Sequence, residues 1–371
     1  MDLRRPGVNL RASLLASGTT DRERRRLRRT GDIVPVRPGA YVAAEELDGA
    51  IAAHPHAARA AVAQLVPGSV LNHVTAATRP GAPRGGCHDR RMTSRALVLG
   101  GGGITGIAWE LGLLAGLREL GVDLTDAETV TGTSAGSVVG AQVATGVDVD
   151  ERYAAQLVPP DGEIAATMGR KLLFRFALAV IAGPRSPEKV RARLGALALR
   201  TTSVPEQERI DVIGRRLPVQ EWPERPLRIT AVDAHTGAFR VFDRDSGVPL
   251  VHAVAASCAV PGVWPPVTIG DTRYIDGGMR SPVNADLAAG AERVVVLAPG
   301  TRGIGPLEGL DPQVERLRAG GSTVAVVSPD AAALAAIGRN VLDPAQRAAS
   351  ARAGRAQAAS AVSQVRDVWT V

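Results

Sequence analysis

The sequence predicts a large α/β domain with a mainly parallel central sheet, preceded by a small basic unit with the element order of a winged helix-turn-helix. Three observations carry this. From residue 95 onward, short apolar runs alternate with helical patterns, the mark of strand–helix–strand units. Before that point, TRPGAPRGGCHDRRMTSR (78–95) is rich in Pro, Gly and Arg without periodicity and reads as a linker. Charge divides at the same place: sixteen arginines against eight acidic residues give residues 1–95 a charge of +8, leaving −1 for residues 96–371. The expected boundaries are a basic unit over 1–80, a linker over 81–94 and the large domain over 95–371.

In the basic unit, RASLLAS (11–17) reads as a short helix, and Thr19 or Thr20 can cap a second, TDRERRRLRRTG. DIVPVRPGAYV (32–42) alternates apolar residues about a Pro-Gly turn, a small hairpin. LLASG, RRLRRTGDIVPVRPGAYV and VPGSVLNHVTAA resemble the AbiEi-type antitoxin winged-helix domain over roughly residues 5–80. That resemblance implies DNA contact by Arg24, Arg25 and Arg28, whereas the charge run by itself equally describes a solvated basic helix. The linker also leaves Met92 open as a natural start, with the preceding segment a remnant or fusion.

In the large domain, RALVLG (95–100) is a buried strand, GITGIAWELGLLAGLRELG (103–121) a helix, ETVTG (128–132) a second strand and SAGSVVGAQVATG (134–146) a second helix. Further strands follow at LRITAVD (227–233), FRVFD (239–243), RVVVLAP (293–299) and STVAVVSP (322–329). A long closing helix over 343–369 is capped by Asp343, with Pro344 in its first turn.

Composition narrows the classes further. Apolar residues make up 45% of the chain, enough for a sizeable core. Cys87 and Cys258 are the only cysteines, which excludes a disulfide framework or a cysteine metal cluster and fits a reducing compartment. Arg11 interrupts any N-terminal secretion signal, and LLFRFALAVIAG (172–183) is too short to span a bilayer. A soluble cytoplasmic protein is expected. The segment Met168–Gly183, with Arg170, Lys171 and Arg175, reads either as a cap touching a membrane surface or as a core helix.

Three elements carry chemistry. GGGGITG (100–106) follows a strand and opens a helix, so backbone N–H groups can face an anion. Its Gly101-x-Gly103-x-x-Gly106 spacing also fits a dinucleotide fingerprint, but the next strand runs into Thr133-Ser134 and offers no acidic residue for a ribose. Gly132-Thr133-Ser134-Ala135-Gly136 places a serine on a strand-to-helix turn, where it is either a nucleophile or a helix cap. Such a serine needs a base. Four of the six histidines lie in the basic unit or linker, and His235 and His252 leave little chain for an acid and a histidine in triad order. Asp276, delivered by a short strand to Gly277-Gly278, offers a carboxylate base whose pKa partial burial would raise.

Together, LVLGGGGITGIAWELGLL, VTGTSAGSVVGA, AVAASCAVPGVWPPV and YIDGGMRSPVNADLAAGAERVVVLAP resemble the patatin-like phospholipase family from about Arg95 to the C-terminus. The resemblance implies a three-layer hydrolase domain and a Ser-Asp dyad without histidine, with Ser134 as nucleophile and Asp276 as base. It also implies an oxyanion hole from the N–H groups of Gly101, Gly102 and Gly103, with Ala135 contributing, and no metal or cofactor. Thr105 stands where many relatives carry Lys or Arg. The expected activity is carboxylic ester hydrolysis of a lipid or phospholipid. The alternatives are a DNA-binding regulator with a hydrolase-like sensor domain, and a Ser-His-Asp esterase using His252 or His235.

Overall fold

The computed structural model describes residues 94–371 except 160–162, 164, 167–169, 182–185, 202 and 371, together with three short strands nearer the N-terminus. The chain divides into two units, Met1–Met92 and Thr93–Val371. In the first, β1 (Asn9–Leu10), β2 (Ile33–Arg37) and β3 (Ala40–Ala43) form an antiparallel sheet in the order β1-β3-β2. β2 and β3 are the hairpin expected over 32–42. The helices expected over 11–17 and 19–31, with Arg24, Arg25 and Arg28, lie outside the described residues.

The second unit is a three-layer α/β fold. Its sheet begins with β4 (Arg95–Leu99), β5 (Thr129–Gly132), β6 (Leu227–Asp233) and β7 (Phe239–Phe242). β8 (Val267–Ile269), β9 (Thr272–Asp276), β10 (Arg293–Leu297) and β11 (Thr323–Val327) complete it. The strand order is β11-β10-β4-β5-β6-β9-β8, with β7 also paired to β6. β11, β10, β4, β5 and β6 run parallel, while β7, β8 and β9 form antiparallel pairs. The short β8 went unread in the sequence.

Alternate residues of the central strands enter different cores, which is why the strands read as unbroken apolar runs. Leu97 and Leu99 of β4, with Val295 and Leu297 of β10, face the large core. Ala96, Val98, Val294 and Val296 face a second core on the other side of the sheet.

The helices are α1 (Gly103–Glu119), α2 (Ala135–Ala144), α3 (Val149–Leu157), α4 (Arg170–Ile181) and α5 (Pro187–Arg200). They continue with α6 (Glu206–Arg216), α7 (Leu250–Ser257), α8 (Asp311–Ala319), α9 (Ala331–Ile337) and α10 (Arg347–Trp369). Asp343 caps a short 3-10 turn over Pro344–Gln346, from which α10 departs. α1 is buried along nearly its whole length and packs on α10 at backbone-to-backbone distance. A Cβ at Gly354 would collide with the Trp109 carbonyl, and Trp109 Nε1 donates to Gln357 Oε1 at 2.9 Å. α4 exposes Phe174 and Leu178 while burying Val180, so it lies at the surface of the domain. Among the described residues, no helix is long and apolar enough to cross a membrane.

The chain runs from β4 outward to β5 and β6, then returns to β10 and β11 on the other flank of β4. Order reversal of this kind opens a crevice at the carboxyl ends of the strands. Both the glycine loop after β4 and the serine turn after β5 lie there.

Candidate active site

Ser134 follows β5 and precedes α2 with φ 53° and ψ −116°, a backbone state that non-glycine residues hold only when their surroundings over-determine it. The surroundings do so. Its N–H donates to Ser257 Oγ at 2.9 Å. Its carbonyl accepts from the Ser137 N–H at 2.9 Å, the Ser137 hydroxyl at 2.6 Å and the Cys258 thiol at 3.3 Å. Gly136 donates to the Gly100 carbonyl at 2.9 Å, and a Cβ there would collide with the Leu99 carbonyl. Gly132 has no room for a Cβ against Gly136. The turn is therefore pressed directly onto the end of β4.

Asp276 closes β9 and is 2% exposed. Its N–H donates to the Ala259 carbonyl at 3.0 Å, and its Oδ1 accepts from the Gly278 N–H at 2.7 Å. The Ser134 hydroxyl faces the same carboxyl group and favours its ionised form. Burial pushes that carboxyl up to about 7, against the opposing pull of the Ser134 hydroxyl and the Gly278 N–H.

β6 is the ruler that brings these two residues together. Gly132 pairs with Ile229, and Asp276 pairs with Ala231 two positions further on. Between them, the Thr230 hydroxyl donates to Thr133 Oγ1 at 2.9 Å. Asn284, wholly buried in the left-handed region at φ 55°, ties the assembly together. Its Nδ2 reaches Thr133 Oγ1 at 3.0 Å, the Ser281 carbonyl at 3.0 Å and the Gly277 carbonyl at 3.3 Å, while its Oδ1 accepts from Arg280 at 2.8 Å. One amide thus links the serine turn to the aspartate turn.

The glycine loop differs from expectation at one position. The Gly101 N–H donates to the Pro282 carbonyl at 2.7 Å, so it is occupied in holding the loop to the segment after Asp276. The N–H groups of Gly102, Gly103 and Ala135 carry no hydrogen bond among the described residues. Gly103 has φ +64°, and a Cβ there would collide with the Val341 carbonyl. Thr105 is buried, and its N–H and hydroxyl both donate to that carbonyl at 3.2 Å. Gly106 brings α1 against α2, where its Cβ would stand 3.4 Å from Ala135 Cβ.

The histidines lie elsewhere. His252, on α7, borders a separate depression with Gln207, Asp211 and Gln220. His235 sits in the β6–β7 turn, its backbone N–H on the Asp233 carboxylate at 2.7 Å. Neither lines the cavity at Ser134. The geometry therefore does not assemble the alternative serine–histidine arrangement.

Residues 97–289, half of the chain, match the family described as Patatin-like phospholipase. The chain belongs to the patatin-like phospholipase family. It is also 30% identical over 227 residues to uncharacterized NTE family proteins of Mycobacterium tuberculosis and Mycobacterium bovis, covering 59% of this chain and 52% of theirs. This patatin-like chain thus spans about half the length of the curated relatives it matches. Among solved structures it is similar to VipD from Legionella pneumophila, with TM-score 0.36 and 14% identity, covering 73% of this chain and 67% of that one. It is likewise similar to the type III effector protein ExoU, with TM-score 0.34 and 17% identity, covering 74% and 53%.

Sequence reasoning missed several residues of this patatin-like site. Ser257 and Cys258 come from the end of α7, and Arg209 and Trp264 line the cavity at Ser134 with Gly103 and Ala135. The cavity holds about 30 Å³, room for a water molecule or two and not for an acyl chain. Asn284 stands in SPVNADL, within a quoted stretch, yet its role depends on partners up to 151 residues away.

Asn284→Ala is expected to lower unfolding free energy by about 2–4 kcal/mol, because it strands buried partners on two turns. Asn284→Gly relieves the left-handed backbone but removes the same amide, so it is expected to remain destabilised in urea unfolding. Wild-type stability in the glycine variant would contradict the linking role.

Proposed function

We propose that this protein is a serine acyl hydrolase acting on lipid esters through a Ser134–Asp276 dyad. The observation that carries the reading is the Ser134 hydroxyl beside a buried carboxyl that burial pushes up to about 7. A base is most effective when its pKa lies close to the working pH, and a buried aspartate reaches that value where an exposed one does not.

In this reading the ionised Asp276 takes the proton from Ser134 as Oγ attacks the ester carbonyl. Negative charge then develops on the carbonyl oxygen at the start of α2, where the helix dipole favours it. The N–H groups of Gly102, Gly103 and Ala135 are the donors for that charge, Gly101 being committed to Pro282. The tetrahedral intermediate collapses to an acyl-enzyme and the alcohol leaves with the proton that Asp276 carries. Water then attacks the acyl-enzyme with Asp276 again as base, releasing the carboxylic acid and restoring Ser134. No step calls for a metal ion, and among the described residues no cluster of His, Cys, Asp or Glu is arranged to hold one.

Hydrolysis of short-chain esters and of phospholipids tests this. Ser134→Ala is expected to abolish turnover, and Asp276→Asn to lower kcat by about 10²–10⁴-fold. His252→Ala and His235→Ala are expected to retain wild-type kcat. Loss of activity in a histidine variant with retention in Asp276→Asn would sink the dyad.

The raised pKa also fixes a stability profile. Between about pH 4 and pH 7 the folded protein keeps a proton on Asp276 that the unfolded chain has lost, so this group's contribution to stability falls as pH rises through that window. Asp276→Asn cannot ionise. It is expected to melt about 3 °C or more above wild type at pH 8 and close to wild type at pH 4, as read by calorimetry. Equal melting at both pH values would show that the carboxyl is not perturbed.

A further inference from the structure

The glycine loop has no cap of its own. A helix ordinarily satisfies its second or third N–H with a side-chain oxygen from the residue that precedes it. In α1 that residue is Gly102, where a Cβ would collide with Pro299, and no side chain caps the helix. The first turn of α1 also lacks an acidic residue. The acceptor comes instead from a turn 236 residues away: the Val341 carbonyl takes both the N–H and the hydroxyl of Thr105, each at 3.2 Å. Thr105 is wholly buried, so bulk water does not compete for that hydroxyl.

The turn that delivers this carbonyl is itself fixed. Asn340 Oδ1 accepts from the Leu342 N–H at 3.2 Å, and the Asn340 carbonyl accepts from the Asp343 N–H at 3.1 Å. Asn340 Nδ2 donates to the Ala166 carbonyl at 2.9 Å, which ties the turn to a second segment. A Cβ at Gly103 would collide with the Val341 carbonyl, so the turn also packs directly on the loop. Leu342, the next residue, lines the cavity at Ser134. The cap is selective. It occupies the Thr105 N–H and leaves those of Gly102 and Gly103 without a partner among the described residues, with Gly103 on the wall of the same cavity.

We propose that the Thr105 hydroxyl and the Val341 carbonyl form a clamp that positions the oxyanion donors of the glycine loop. The turn over residues 340–343, outside the matched stretch 97–289, thereby becomes part of what sets the catalytic geometry. Thr105 is a positioning residue: it acts through the N–H groups of Gly102 and Gly103. Such donors stabilise developing charge only at about 2.7–3.1 Å from it, so slack in the loop is felt in the transition state more than in substrate binding. As a catalytic device the clamp rests on the acyl-hydrolase reading; as a restraint on the loop it does not.

Amide hydrogen exchange of the full chain, read by NMR, tests the restraint. No bond within α1 can protect the Thr105 amide, so in wild type it is expected to exchange at least about tenfold more slowly than an open amide. Exchange at the open rate overturns the proposal, whatever the variants do. Thr105→Val keeps the shape and the backbone N–H and removes the hydroxyl. It is expected to lower protection across the first turn of α1 about fivefold, the scale of one neutral hydrogen bond. Thr105→Ser, which restores the hydroxyl, is expected to recover most of that loss. Wild-type protection in Thr105→Val, or an equal loss in both variants, overturns the clamp.

Its catalytic consequence is read on 4-nitrophenyl butyrate, with rates expressed per site titrated by a fluorophosphonate so that misfolded molecules do not count. Thr105→Val is expected to lower kcat and kcat/KM together, at least about fivefold, the mark of an interaction made in the transition state. Inhibition by butylboronic acid, whose serine adduct is tetrahedral, is expected to weaken by a similar factor. A fall carried by KM alone, or wild-type inhibition by the boronic acid, contradicts the positioning role. Absence of hydrolysis and labelling in wild type, with the Thr105 amide protected, would overturn the hydrolase reading and leave the clamp standing.

Discussion

The site depends on the buried amide of Asn284. The serine turn and the aspartate turn leave different strands, β5 and β9, and no backbone ladder joins those strands directly. They meet because both lie along β6, and because Asn284 bonds to Thr133 on one turn and to Gly277 on the other. Thr133 Oγ1 completes the network by accepting from Thr230 and donating to the Val283 carbonyl. A buried polar network of this kind stabilises only when nearly every member is satisfied. Here it fixes the separation of two groups whose chemistry requires hydrogen-bond contact.

The same region holds three departures from what stability alone would select. Ser134 occupies a strained backbone state, Asp276 is a carboxyl removed from water, and Arg209 has buried donors without a partner among the described residues. Each is supported by ordinary packing around it. Bonds from Ser257, Ser137 and Cys258 hold the serine, the Gly278 N–H holds the carboxyl, and Trp264 supports the guanidinium. Such local costs, offset by a rigid scaffold, are characteristic of functional sites.

Much of the central architecture could be read from the chain because it is local. β4, α1, β5 and α2 each follow from an apolar run or a helical pattern broken by glycine, and the turn at Asp276 follows from Asp-Gly-Gly. The closing helix was equally legible, but Asp343 caps the 3-10 turn that leads into it and not the helix itself. What could not be read was set by distant pairing. β6 looks like any buried strand, and its function as a ruler exists only in its register with β5 and β9. Arg209 sits in the charged stretch EQERIDVIGRR, which by pattern is a solvated helix; only folding turns that arginine, together with Arg216 two turns further on, toward the cavity at Ser134. The loss of Gly101 as a donor has the same origin, since Pro282 lies far along the chain. In the N-terminal unit, the hairpin was legible from its Pro-Gly turn.

The central claim is that Asp276 activates Ser134. The most direct measurement is the rate at which a fluorophosphonate labels Ser134 across pH, read by mass spectrometry of the modified peptide. The account predicts a labelling rate that rises with an apparent pKa near 7 in wild type and is slow and flat in Asp276→Asn. Labelling of Asp276→Asn at the wild-type rate, with the same pH dependence, would contradict it.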